Sequence, residues 1–264
     1  MKKIVFACDL DNTLIHSHKK KREGDICAEM LDGKEQSFMT PHTIALIEEV
    51  TQNENILLLP VTTRSIAQYL RIQWPEGCVP ELALVCNGAI LLRNGLPDPN
   101  WLAGSNAEIE PYRPELSRLQ AYYQDHPAFK TVRIVDDMFL FLYCLDPDTI
   151  EETADACRKV TSLAVEYTGS KLYIFPDPAN KGRSVRRFAD TFGYTHITAA
   201  GDSMIDCPML AIADTALVPY DEMAALCQNP HCLICPADQH FSEFILTSVL
   251  QERRSLLCNL MDLD

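Results

Sequence analysis

The chain alternates short apolar runs with amphipathic stretches, and several of the runs stop at polar residues capable of chemistry. Ile4-Val5-Phe6-Ala7-Cys8 is an unbroken apolar run of strand length that stops at Asp9-Leu10-Asp11-Asn12-Thr13. Ile26 to Met39 reads as a β-hairpin folded at Asp32-Gly33, a pair suited to a type I′ turn. Thr40-Pro41 opens a predicted helix, with Thr40 as N-cap, Pro41 at the first helical position, and Ile44, Ile47 and Val50 as the apolar stripe. Ile56 to Val61 is a buried strand that turns into the next helix through Thr62-Thr63-Arg64-Ser65. Leu82 to Cys86 is a third strand, followed by Asn87-Gly88.

The middle of the chain changes rhythm. Pro97-Asp98-Pro99 and Pro176-Asp177-Pro178 bracket it, and such pairs stiffen linkers and stop regular structure. Between them the pattern predicts a helix (Pro114 to Asp125), two strands (Thr131 to Val135 and Met138 to Leu145) that turn at Asp136-Asp137, and a second helix (Pro147 to Lys159). Two more strands follow (Leu163 to Tyr167 and Lys171 to Phe175), turning at Thr168-Gly169. The order αββαββ predicts a self-contained antiparallel sheet with helices on one face. It interrupts an otherwise alternating β/α chain, so it is read as an inserted domain. The alternation resumes at Asn180, which can cap a helix with Val185, Phe188 and Phe192 inward, ending at Gly193. His196 to Ala200 is then a strand ending in Gly201-Asp202-Ser203-Met204-Ile205-Asp206, and short strands and a terminal helix complete the chain.

Composition sets bounds on function. The 264 residues are 47% hydrophobic and 23% charged, a globular composition with core enough for one large domain or two modest ones. A formal net charge of -14 argues against nucleic acid as a partner. It leaves room for a small phosphate ester, because a local metal and a lysine can invert the field at one site. The basic run Lys19-Lys20-Lys21-Arg22 reads as a solvated loop. No uninterrupted apolar stretch reaches membrane-spanning length, so no membrane partner is expected. Eleven scattered cysteines, and Met1-Lys2-Lys3 running straight into a short strand, predict a reduced, cytoplasmic compartment. Cys227, His231, Cys232 and Cys235 include one zinc-like C-x-x-C pair, but no second ligand pair follows at finger spacing, and buried cysteines acting as small hydrophobes are the favoured reading.

The candidate chemistry starts at Asp9 and Asp11. A strand places residues i and i+2 on one side, so both carboxylates can serve one site at the strand's C-terminal end, the edge where open α/β sheets bind ligands. Two close carboxylates need a cation, a shared proton or a divided role. Mg²⁺ with a phosphorylated substrate fits, since Mg²⁺ prefers one or two carboxylates plus phosphate oxygens.

Four features stand in order: Asp9-x-Asp11-x-Thr13, Thr62 after a strand, Lys181 at a helix start, and Gly201-Asp202-x-x-x-Asp206 after a strand. Together they resemble the four motifs of the haloacid dehalogenase superfamily of phosphohydrolases. The αββαββ insert, with Asn87-Gly88-Ala89 ahead of it, resembles the type-two (IIB) cap of the Cof-like and sucrose-phosphatase-like branch. The resemblance implies an α/β fold: a Rossmann-like three-layer parallel-sheet core over residues 1–88 and 178–264, with an α+β cap over 89–177. It implies Asp9 as nucleophile, Asp11 as general acid and base, Thr62 as a donor to a phosphoryl oxygen, and Lys181 as a charge balance held by Asp206. Asp9, the Asp11 backbone carbonyl and Asp202 would ligate Mg²⁺. Arg64 and Asn87 are candidate substrate contacts, with a helix-surface arginine and a turn asparagine as equal alternatives. Thr62 has the alternative of a helix cap, Lys181 of a surface lysine, and Asp202 of a turn residue.

Two positions depart from the family pattern. Thr63 stands where a glycine is usual in Thr-Gly-Arg, and Ile205 where an asparagine is frequent in the fourth motif. The expected function is Mg²⁺-dependent hydrolysis of a small phosphorylated metabolite, a sugar phosphate being the favoured class, through an aspartyl-phosphate. The alternatives are a phosphomutase or phosphotransferase of the same fold, and a non-catalytic regulator that binds a phosphorylated ligand. Intact Asp9, Asp11, Lys181 and Asp202 weigh against the last.

Overall fold

The computed structural model describes residues 4–261. Five parallel strands form the central sheet, in the order Cys232–Ile234, Thr215–Val218, His196–Ala200, Ile4–Cys8, Ile56–Pro60. Ile4–Cys8 therefore has a strand on each side. Its uniform hydrophobicity follows from burial on both faces. Val5 and Ala7 pack with Val185, Phe188, Met209 and Leu210 on one side. Ile4, Phe6 and Cys8 pack with Ile47, Val50, Ile245 and Val249 on the other. Helices thus cover both faces, giving three layers. Each large side chain buried this way contributes about 1.5–3 kcal/mol.

Two helix starts fall where their capping residues place them. Thr40 accepts from the Thr43 amide at 2.9 Å and Pro41 opens the helix Pro41–Thr51. Asn180 accepts from the Arg183 amide at 3.1 Å and opens Lys181–Phe192, which ends at left-handed Gly193. Val185 and Phe188 of that helix are buried, but Phe192, expected inward, is 37% exposed with its ring against Phe188.

The insert is a four-stranded antiparallel sheet in the order Ala164–Thr168, Lys171–Phe175, Phe139–Cys144, Phe129–Val135. Leu140, Leu142, Leu172 and Ile174 point to one face, where they meet Leu116, Leu119, Ala154 and Cys157 of helices Arg113–Tyr123 and Ile150–Arg158.

Leu82–Val85 pairs antiparallel with Ile90–Arg93 and lies beside the core through the parallel Val61–Leu84 bridge, with the Thr62 amide donating to the Leu84 carbonyl at 2.9 Å. The chain reverses at Cys86, Asn87 and Gly88, all with positive φ, which commits Leu82–Val85 to a hairpin. Pro97-Asp98-Pro99, expected to stop regular structure, starts it: Asp98 caps the helix Pro99–Ile109 and Pro99 takes its first position. Trp101 of that helix packs in the same cluster as Val185 and Phe188. Among the described residues no helix is long and apolar enough to cross a membrane.

Candidate active site

The C-terminal edge of the central sheet gathers residues from distant parts of the chain. Asp9 follows the middle strand, and its amide donates to the Ala200 carbonyl at 2.9 Å. Lys181 begins the helix after the insert, with its ammonium 2.6 Å from Asp9 Oδ1 and 2.5 Å from Asp206 Oδ1. Asp206 Oδ2 accepts from the Asp202 amide, the Ser203 amide and the Ser203 hydroxyl at 2.8–3.1 Å. Thr13 Oγ1 donates to Asp9 Oδ2 at 3.3 Å. Lys181 is 1% exposed, so the pair with Asp9 and Asp206 is desolvated and every lost partner would be costly.

Charge at this edge does not balance. Donor oxygens of Asp9, Asp202 and Asp206 lie within 4.8 Å of one another, and Lys181 is ion-paired with two of these three carboxylates. Burial pushes the Asp9 carboxyl up, and Asp206 and Asp202 add to the rise against the pull of Lys181. Burial, with Asp206 beside it, likewise pushes Asp202 up to about 7. Lys181 goes above its ordinary value: burial opposes its charge, but Asp206 and Asp9 outweigh burial. An all-oxygen donor set with a deficit of positive charge fits a hard divalent cation.

Asp11 is held apart from that cluster. Arg64 grips its carboxylate with two hydrogen bonds, at 2.8 and 2.9 Å. Burial raises the Asp11 carboxyl, yet the guanidinium wins and holds it below the ordinary carboxylate range. Arg64 is itself fixed by Glu29 at 2.8 Å, and Glu29 also pairs with Arg71 at 2.9 Å and accepts from Ser37. The hairpin Ile26–Met39 thus reaches the acidic edge through a Glu29–Arg64–Asp11 chain.

Thr62 is buried, and its hydroxyl accepts from the Arg64 amide at 3.2 Å. Asn87 donates to the Ala179 carbonyl at 2.7 Å, two residues before Lys181, while its Oδ1 is buried without a partner among the described residues. Ile205 is buried in the core cluster and lines a wall of the acidic edge.

Two cavities meet here. One, of about 400 Å³, holds Asp9, Asp11, Lys181 and Asp202. The other, of about 420 Å³, lies between the hairpin and the insert sheet, lined by Glu29, Arg64 and Arg71 on one side and Arg133, Phe141 and Lys171 on the other. Asp11, Thr63, Lys171 and Tyr173 border both. Asn87 lines neither.

Glu29, Arg71, Arg133 and Lys171 were not singled out from the sequence. Lys171-Leu172-Tyr173-Ile174-Phe175 carried a usable signal, because its strand alternation puts Lys171 and Tyr173 opposite the apolar face. Glu29 carried none. Register shifts between Cys27 and Glu29 and between Glu29 and Met30 decide where it points. The cysteine cluster does not gather: Cys227 and Cys232 sulfurs lie 3.9 Å apart, while Cys235 turns to the Pro236 and Gln239 carbonyls. Among the described residues the candidate metal group is the aspartate one.

No family model matches the chain, and no curated protein does. Solved structures do. The sucrose-phosphatase of Synechocystis sp., solved with sucrose and phosphate, aligns at TM-score 0.64 and 15% identity, covering 95% of this chain and 98% of that one. A trehalose-6-phosphate phosphatase related protein aligns at TM-score 0.57 and 14% identity, over 94% and 99% of the two chains. A Thermotoga maritima protein aligns at TM-score 0.55 and 15% identity, over 93% and 97%. Core and insert are both included at such coverage, so this chain has the fold of these structures, an α/β core carrying an inserted α+β unit.

Proposed function

We propose that the protein is a phosphoric monoester hydrolase acting on a small phosphorylated metabolite of the sugar-phosphate class. The observation that carries this reading is Lys181 bridging Asp9 and Asp206, with Asp202 alongside, at the C-terminal edge of the sheet. The sugar-phosphate class is supported by the fold shared with a sucrose-phosphatase and by the second cavity beside the acidic edge.

In this reading Asp9 attacks phosphorus while the bond to the leaving oxygen breaks and Asp11 gives that oxygen a proton. Asp11 then takes a proton from water, which attacks the aspartyl-phosphate and releases inorganic phosphate. Lys181 balances charge on the transferring group, and the Thr62 hydroxyl, which accepts from the Arg64 amide in the free protein, would donate to it. Asp9, Asp202 and the Asp11 carbonyl would hold Mg²⁺, which neutralises repulsion between Asp9 and the phosphoryl oxygens when bound. Arg64 keeps Asp11 ionised in the free protein, the form that accepts a proton from water. The first step needs Asp11 protonated, so substrate binding has to loosen the Arg64 pair.

The test is phosphate release from p-nitrophenyl phosphate and from sugar phosphates, with and without Mg²⁺ and with no acceptor sugar present. Release should require Mg²⁺ and fall by about 10⁴-fold or more in Asp9→Asn, an isosteric change that removes the nucleophile. Near-wild-type release by Asp9→Asn would remove Asp9 from its role. Turnover of the ester only when an acceptor sugar is added, with the phosphoryl group passing to that sugar and no inorganic phosphate released, would identify a transferase instead.

A further inference from the structure

The cavity between hairpin and insert is unbalanced in charge. On the core side its cations are matched: Arg64 and Arg71 face Asp11 and Glu29. On the insert side Arg133 and Lys171 line it, and neither has an ion pair among the described residues. Lys171 also feels the Asp11 and Asp9 charges of the neighbouring cavity, whereas Arg133 stands away from that cavity, in a chain whose formal net charge is -14.

Strand register explains their placement. Arg133 and Tyr173 both stand opposite Phe141, and Lys171 stands opposite Tyr143. Residues paired across strands share a face, so these five side chains leave the same side of the sheet. The other side is committed to the insert's own helices. Arg133 lies over the Phe141 ring, 5.5 Å from its centre. Glu166 pairs with Tyr173 on the outer strand but does not line the cavity. The surface is therefore an aromatic platform flanked by cations, suited to a ring with an anion at its edge.

Position separates the two cations' tasks. Lys171 borders both cavities, so it can face the phosphoryl group as well as the leaving group. Arg133 borders only the cavity that lacks Asp9, Lys181 and Asp202. A cation there does not serve the transferring phosphoryl group. We propose that the preferred substrate is a phosphomonoester whose leaving group carries a second anion, a carboxylate or another phosphate, bound by Arg133 with Lys171. This inference rests on the phosphatase reading above and names the substrate class within it.

The test compares binding to the Asp9→Asn protein, with Mg²⁺ present, of glucose phosphate, phosphogluconate and fructose bisphosphate, by titration calorimetry. One or both acidic ligands should bind at least about tenfold tighter than glucose phosphate, the size of one charge-assisted contact. Phosphogluconate against fructose bisphosphate tells a carboxylate from a phosphate. Adding Arg133→Gln should cut the preference by about tenfold, and Arg133→Lys should restore part of it. Arg133 is on an exposed strand face, so both variants should fold, and thermal melts check this. Equal affinity for acidic and neutral ligands, or a preference that survives Arg133→Gln, overturns the inference. Absence of phosphate release from every ester by the wild-type protein would sink the phosphatase reading alone, because the binding comparison would still decide the second anion.

Discussion

Asp11 and Arg64 make opposed demands on one proton. Burial alone would raise the Asp11 carboxyl, and the two-point contact with Arg64 reverses the sign. In Arg64→Gln the largest downward pull is gone and burial is opposed only by Lys171 and Lys181, so the Asp11 carboxyl should rise from its held-down position. A base that must be ionised to activate water is then protonated, and lost, at a less acidic pH than before. The acidic limb of kcat against pH should therefore shift upward by about one unit or more. An unmoved limb would mean that Arg64 does not set the ionisation of the working group. Asp11 was legible in the sequence because its spacing from Asp9 needs only a strand end. Its partner was legible only as a residue type. Arg64 read equally as a helix-surface residue, because nothing local shows that Glu29, 35 residues earlier, waits across the fold to fix it.

The helix Lys181–Phe192 brings the ammonium to the carboxylates, and its first turn is unusually close to its neighbour. Gly182 sits against the backbone of Pro208, and a methyl group at that position would overlap the Pro208 carbonyl. Backbone cannot swing aside as a flexible side chain can. Gly182→Ala should thus push the helix start away from the segment that carries Asp206, and so strain the Lys181 bridge. We expect a loss of about 1–3 kcal/mol in urea unfolding, with phosphate release falling as well. Unchanged stability would show that the helix start has room to move. Elements of this kind were readable from local signals: Asn180 as cap, Gly193 as stop, alternation in the insert strands. Partnership between elements was less so. Leu82–Val85 has the composition of a central strand and does lie beside the core at Val61, but the Cys86-Asn87-Gly88 reversal also gives it a hairpin partner. Pro97-Asp98-Pro99 has the composition of a stop, yet a proline that is a poor helix interior is a good first residue once Asp98 caps it.

At the scale of the molecule, the acidic edge ties stability to pH and to metal. A carboxyl raised in the folded state binds its proton more tightly folded than unfolded, so stability falls as pH rises between the two values. For Asp202 that window runs from the ordinary 3.8 to about 7, and the loss levels off above it. Metal-free protein should consequently melt a few degrees lower at pH 8 than at pH 5 on this account. Mg²⁺ should restore the difference most at the higher pH, where it need not displace a proton. Melting curves in chelator and in Mg²⁺ at both pH values check this, and a Mg²⁺ effect equal at the two would break the link. The same edge joins residues 172 positions apart at Asp9 and Lys181, and the strand Ile4–Cys8 pairs with His196–Ala200. That arrangement has a consequence for the order of birth. At common rates of synthesis the later strand leaves the ribosome roughly ten to forty seconds after the earlier one. Among the described residues the insert strands pair only with one another, and they need no such wait. The nascent chain should thus pass through a stage with a finished insert and an unfinished sheet, one bare apolar edge exposed along Ile4–Cys8. Chaperone demand and misfolding by edge pairing should concentrate in that interval.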